Sequence, residues 1–503
     1  MTSEALQKAR RFEAQYKAYA DSSRPAFHLT APVGWMNDPN GFSVYQGEYH
    51  LFFQYYPYHA KWGSMHWGHA RTKDFVTWEY LPAAMAPDTD PDRDGCYSGS
   101  AVETPDGQQM LMYTGVYNVR RVDGVVDLIQ HQCIALGDGV NYVKYEGNPV
   151  LDASDLPSGT SELDFRDPKI WREGDHYCAV VSSRGADGSG WILLYESADG
   201  FHWSYRGVLA ECKNEYGKMW ECPDFFPLDG TQVLMVSPME MMPTGMEFHA
   251  GYGTVAFWGS YDPSTHRFDR EHVQAIDYGI DFYAPQTLET PDGRRIMVAW
   301  MQNWATSTFI NQNSRLGGQM TLPRELHIRD GRLVQNPVRE IEAYRGEGAA
   351  CEDVSVSAER TLEGVQGRVL DLSVTLRPGE GGYEWFKLRL AKNGEHCAII
   401  RYKPSANTIR IDRSHCSARF DIVHLREFLV RPRDGVIRLR ILMDTQSVEL
   451  FVNDGEQAAT FLLYDSPEAE GISFEAKGEA KMDVEFYPLN VRSPWNMAEA
   501  CDE

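Results

Sequence analysis

One motif recurs five times in the first 300 residues and restricts the fold more than any other feature. A glycine-bearing turn precedes a short apolar run of strand-forming residues. The instances are Tyr45-Gln46-Gly47 before YHLFFQYY, Asp106-Gly107 before MLMYTG, Glu173-Gly174 before HYCAVVS, Asp229-Gly230 before VLMVSP and Asp292-Gly293 before RIMVAWM. Successive glycines are 60, 67, 56 and 63 residues apart. A strand-rich unit of about 60 residues cannot bury its apolar face alone, and five in a row predict the blades of a propeller. Outer strands are expected in KDFVTWEYL from Lys73, DGVNYVKYEG from Asp138 and ADGFHWSYRG from Ala198, where a polar turn leads into alternating aromatics.

The texture changes after Leu322. QNPVREIEAYR, with Pro337 near its start, predicts a linker helix. Strand patterns return at 369–376, 386–390, 436–443, 448–452 and 482–486, with hairpin signals at Asp444 to Ser447 and Asn453-Asp454-Gly455, as in a β-sandwich. At 503 residues the chain is long enough for two cores. The expectation is therefore all-β: an N-terminal helical segment over 1–23, a five-bladed β-propeller over 24–332, a linker helix over 333–349, a β-sandwich over 350–492 and a frayed tail over 493–503. Leu6, Ala9, Phe12, Tyr16 and Tyr19 fall three or four apart, which makes the N-terminal segment a short amphipathic helix docked on the body.

Composition narrows the partners. A formal net charge of -24 repels nucleic acid and anionic membranes, so neither is an expected partner. No stretch approaches the roughly 20 apolar residues of a membrane span, and residues 1–20 lack a signal-peptide core. Nine cysteines, an odd number without CxxC spacing, predict reduced thiols in the cytoplasm, with neither a disulfide framework nor a zinc site. Aromatics at 12% suit a sugar-binding cleft, although an all-β core uses them too.

Three acids stand in unusual surroundings: Asp38 in WMNDPNG, Asp167 in FRDP and Glu221 in WECPD. Alone, each has a structural reading: a turn acid, a partner for Arg166 and a hydrogen-bonded core glutamate. Together they precede their blade's turn glycine by nine, seven and nine residues, as Ser98 and Ala284 do by nine. Matching places on different blades put all of them on the innermost strands, around one axial funnel. Two carboxylates in distinct environments are the minimal equipment for glycoside hydrolysis, and burial raises a carboxyl's pKa toward what a general acid needs. His66 and His69 in HWGH are read as structural or sugar-contacting rather than metal ligands, and Met239, Met241, Met242 and Met246 as a pocket rim. Cys222 has no histidine beside it and is not read as a nucleophile.

WMNDPNG, FRDP and WECPD resemble the signature motifs of glycoside hydrolase family 32, the invertases, fructanases and sucrose-6-phosphate hydrolases. Gln54-Tyr55-Tyr56-Pro57, Trp67-Gly68-His69, Ser98-Gly99-Ser100, Asp281 to Gln286, Ala299-Trp300-Met301 and the Asp444 to Gly455 region follow in the family's order. Tyr97 stands where many members carry Phe, keeping the ring and adding a hydroxyl. The resemblance implies that Asp38 is the nucleophile, Glu221 the acid/base and Asp167 the transition-state stabiliser. It implies that Asn37, Gln54, Trp62, Tyr97, Ser98, Arg166, Tyr283 and Trp300 line a fructose pocket. Arg166 is expected to keep Asp167 ionised, and Tyr283 to bond Glu221. No metal or cofactor is implied. The expected function is retaining hydrolysis of terminal β-D-fructofuranosyl residues from sucrose and short fructo-oligosaccharides. Sucrose-6-phosphate hydrolysis and fructosyl transfer are the alternatives within the family. An inverting arabinan-type hydrolase and a catalytically dead sugar-binding propeller are the alternatives outside it. The sandwich is the expected surface for any homodimer.

Overall fold

Each repeated turn closes a hairpin between the inner strand of a blade and the next strand outward. The inner strands are Gly34–Tyr45, Gly95–Glu103, Ser161–Glu173, Trp220–Leu228 and Tyr283–Glu289. The turn glycines have φ between 63° and 84°, a left-handed conformation that other residues rarely adopt. At Gln46-Gly47 and Asp229-Gly230 both turn residues are left-handed, which matches the twist of the flanking strands. This computed structural model describes residues 2–16, 24–307, 316–416 and 422–492.

Five sheets result, each with four antiparallel strands, and each inner strand packs against those of its neighbours around the axis. The ring closes where Leu316–Gly317, from the fifth repeat, pairs in parallel with Gly34 and Trp35 of the first. Its outermost strand corrects the expected boundary. Arg332–Pro337 pairs with Arg324–Arg329, so the propeller runs to 337 and not 332. The predicted linker helix shrinks to a 3-10 turn at Arg339–Tyr344. Leu333, Val334 and Gln335 are buried, and the sheet edge satisfies backbone that a helix starting there would have turned to solvent.

Two long strands, Leu370–Asn393 and Gly471–Pro488, organise the C-terminal domain. They pair over 370–378 with 480–488, lose register, and pair again over 383–392 with 471–478. One half extends through Ile437–Asp444, Ser447–Val452 and Gln457–Leu462, the other through His396–Lys403, Thr408–Asp412 and Leu425–Leu429. The strands bend from one sheet into the other and enclose a core including Leu372, Val374, Leu388, Ile400, Leu450 and Phe474.

A buried ionic cluster joins the two domains. His28 lies 2.8 Å from Asp444 and 2.9 Å from Glu449, Arg324 lies 2.5 Å from Glu449 and 3.0 Å from Asp277, and Arg413 lies 2.5 Å from Asp281. Isolated charges at such depth would be costly, so each partner fixes the other's domain in place. The helix Glu4–Tyr16 buries Leu6, Ala9 and Glu13 against the first blade, where Glu13 accepts from the Ala83 amide. Tyr19 and the expected tail over 493–503 lie outside the described residues.

Candidate active site

Every inner strand slips register with its neighbour, the first and third of them twice. One slip on each falls at a matching place: between Met36 and Pro39, Tyr97 and Gly99, Arg166 and Lys169, Glu221 and Asp224, and Tyr283 and Gln286. Such a bulge bends the strand and re-aims its side chains. In three blades it carries a left-handed residue, Asp167, Cys222 or Ala284, with φ of 63°, 49° and 51°, and a proline follows each one. Arg166, Glu221 and Tyr283 stand immediately before, at equivalent places on consecutive blades.

Those three side chains form a bonded row. Arg166 donates through Nε and Nη2, both at 3.1 Å, to Glu221 Oε1, and the Tyr283 hydroxyl donates at 2.7 Å to Oε2. On the first blade Asp38 accepts from Ser98 Oγ at 2.7 Å and from Asn37 Nδ2 at 3.0 Å, and Trp35 Nε1 holds the Asn37 carbonyl. Asp167 Oδ2 accepts from the Cys222 amide at 3.0 Å. The Cys222 thiol lies 3.6 Å from Asp38 and 3.7 Å from Asp167, so one residue beside Glu221 touches the other two acids. Residues far apart in the chain thus converge at one point of the funnel.

Their environments differ. Burial raises the Asp38 carboxyl, against the pull of the Ser98 and Asn37 donors. Burial pushes Asp167 up to about 7, and the nearby Glu221 and Asp38 charges add to it. Arg166 acts in the expected direction, because its charge draws the Asp167 pKa down and favours the carboxylate. Arg166 Nε stands 3.8 Å from Asp167, but the guanidinium spends its hydrogen bonds on Glu221 and Asp164, and burial prevails.

Gln54 donates to the Cys96 carbonyl at 3.0 Å, next to Tyr97 and Ser98. Trp62 is 48% exposed and meets the Tyr97 ring edge-on at 6.0 Å, which places it at the rim. Trp300 is wholly buried, edge-on to Trp35 at 5.9 Å and to Trp304 at 5.1 Å, within the aromatic cluster that includes Tyr283. Reading the sequence missed Cys222 as a link, although Asp167-Pro168, Cys222-Pro223 and Ala284-Pro285 show the matching places. It also missed Thr114, whose hydroxyl accepts from the Asp167 amide at 2.9 Å, and Gln130 and Asp164, which hold Arg166. His66 and His69 are buried and bonded to Ser64 and His50, as structural residues are. Among the described residues, one group has metal-ligand spacing, Glu173, His176 and Cys178, at the far end of the third inner strand.

Three acids with different hydrogen-bond partners, brought together beside a cluster of tryptophan and tyrosine rings, suit chemistry on a sugar acetal. The class is the propeller glycoside hydrolases. The family model for the glycosyl hydrolases family 32 N-terminal domain matches residues 28–337, and that for the family 32 C-terminal domain matches 340–492. The chain belongs to glycosyl hydrolase family 32. It is 36% identical to a raffinose invertase of Escherichia coli, covering 91% of this chain and 93% of that protein. It is 34% identical to a sucrose-6-phosphate hydrolase of Escherichia coli, covering 90% and 91%. A Bombyx mori GH32 beta-fructofuranosidase superposes with a TM-score of 0.84 at 32% identity, over 98% of this chain and 99% of that one.

Proposed function

We infer that this β-fructofuranosidase releases terminal, non-reducing β-D-fructofuranosyl residues from sucrose and short fructo-oligosaccharides by double displacement. Glu221 protonates the glycosidic oxygen while a carboxylate oxygen of Asp38 attacks the anomeric carbon and the leaving sugar departs. Glu221, now a carboxylate, takes a proton from water, and that water displaces Asp38 with net retention. Asp167 holds fructose hydroxyls as the ring gains oxocarbenium character, and Asn37, Gln54, Trp62, Tyr97, Ser98, Arg166, Tyr283 and Trp300 shape the pocket around it.

The observation that carries this reading is the contact of Cys222, the neighbour of Glu221, with both Asp38 and Asp167. Methanolysis of sucrose tests it, because retention yields methyl β-D-fructofuranoside by NMR. The α-anomer, or no fructose release at all, would overturn the mechanism. A second reading, hydrolysis of sucrose 6-phosphate, is favoured by the Escherichia coli relative of that name. The proposal includes a cytoplasmic location, supported by eight free cysteines among the described residues, and a sandwich-mediated homodimer that light scattering would detect. No helix among the described residues is long and apolar enough to cross a membrane.

A further inference from the structure

A second concavity lies two hydrogen bonds from Glu221, by way of Gln130 and Arg166. The second blade's hairpin, Gln109–Arg120 with Val126–Gly137, and the connection into the third blade enclose a groove of about 580 Å³. That volume lies within the range of small-ligand sites, ~300–1,000 Å³. Its wall reaches the catalytic row directly: Gln130 lines the groove and accepts from Arg166 at 3.3 Å, and Arg166 holds Glu221. Glu162 lies on the same inner strand as Arg166, four residues earlier.

The lining has a recognisable chemistry. Tyr117 offers a half-buried ring, backed on one side by the Arg93 guanidinium at 4.3 Å. Asp90, Asp152 and Glu162 also face the groove, and Glu162 has no hydrogen-bonding or ionic partner among the described residues. His131 bonds the Pro91 carbonyl, and burial lowers its pKa from the ordinary value, so it adds no positive charge near neutrality. Three carboxylates therefore face one guanidinium, which is already engaged with a ring.

Resting on the fructosidase reading above, we propose that this groove is an accessory subsite for the leaving group and selects neutral oligosaccharides over phosphorylated ones. Tyr117 stacks on a sugar face, and the carboxylates accept from sugar hydroxyls. A phosphate dianion on the leaving sugar meets like charge in a partly desolvated cleft, where repulsion is weakly screened. The groove thereby decides between the two readings of the substrate, against sucrose 6-phosphate.

The test compares kcat/KM for sucrose, raffinose and sucrose 6-phosphate, together with a crystal structure of the Glu221→Gln variant soaked with raffinose. The wild type is expected to use sucrose 6-phosphate roughly tenfold or more less efficiently than sucrose, a difference of about 1.4 kcal/mol. Asp152→Asn with Glu162→Gln is expected to narrow that ratio several-fold. Tyr117→Ala is expected to raise KM for raffinose about tenfold more than KM for sucrose, with Tyr117→Phe restoring the wild-type ratio. The soaked crystal is expected to show the galactosyl unit against Tyr117. Preference for sucrose 6-phosphate, equal scaling of all substrates in Tyr117→Ala, or a galactosyl unit seated elsewhere would each overturn the proposal. A wild type that frees no fructose from sucrose, while raffinose still occupies the groove, refutes the chemistry and leaves the subsite standing.

Discussion

Tyr283 donates a 2.7 Å hydrogen bond to Glu221, and the two residues occupy the same bulge position on adjacent blades. Arg166, at that position one blade earlier, completes the row from the opposite side of the carboxylate. The propeller's repeat is thus used directly. One backbone device, copied across blades, delivers a cation, an acid and a phenol to a common point.

Asp38→Asn and Glu221→Gln should each lower kcat on sucrose by at least roughly 10³-fold. Circular dichroism should remain that of the wild type. Either purified variant turning over at the parental rate would remove that residue from the mechanism.

If Asp38 is the nucleophile proposed above, the acid limb of the pH profile should follow its titration. Burial raises its pKa, and attack needs the carboxylate, so kcat/KM falls as pH drops through that raised value. The Ser98 hydroxyl stabilises the charged form. Ser98→Ala should therefore move the acid limb upward by about one pH unit, and Ser98→Thr should restore it. An unmoved limb in Ser98→Ala would separate that limb from Asp38.

His28 makes domain attachment pH-dependent. Burial alone would lower its pKa, but the bonds to Asp444 and Glu449 raise it to about 9 from an ordinary 6.5. Protonated His28 therefore stabilises the fold, fully below pH 6.5 and progressively less as pH rises through 9. The contribution is at most about 3 kcal/mol. Tm should fall across that interval more steeply in the wild type than in His28→Gln. Parallel Tm profiles would count against the assignment.

Arg324 is buried between Glu449 and Asp277. Arg324→Ala strips Asp277 of its cation and leaves Glu449 with His28 alone, and should cost about 3–5 kcal/mol in denaturant unfolding. A loss below about 1 kcal/mol would mean that the cluster contributes little to holding the domains together.

Short-range chemistry is legible in the sequence. The turn glycines had to be left-handed, the apolar runs after them had to be strands, and Asp444 and Glu449 fell in a stretch already singled out by its pattern. What escaped depends on partners remote in sequence. Arg332–Pro337 reads as the start of a helix until Arg324–Arg329 is beside it. Thr114 is one threonine among many until the Asp167 amide, 53 positions later, meets its hydroxyl.

Periodicity and residue type by themselves determined the blade count, the all-β class and the matching places of three acids on their blades, because turns and strand faces are set by neighbours a few positions apart. Only the closed ring decided which acid Arg166 serves, that Cys222 bridges two of the carboxylates, and how far burial lifts Asp38 and Asp167. Those depend on desolvation and on distances across blades, which no local stretch of chain encodes.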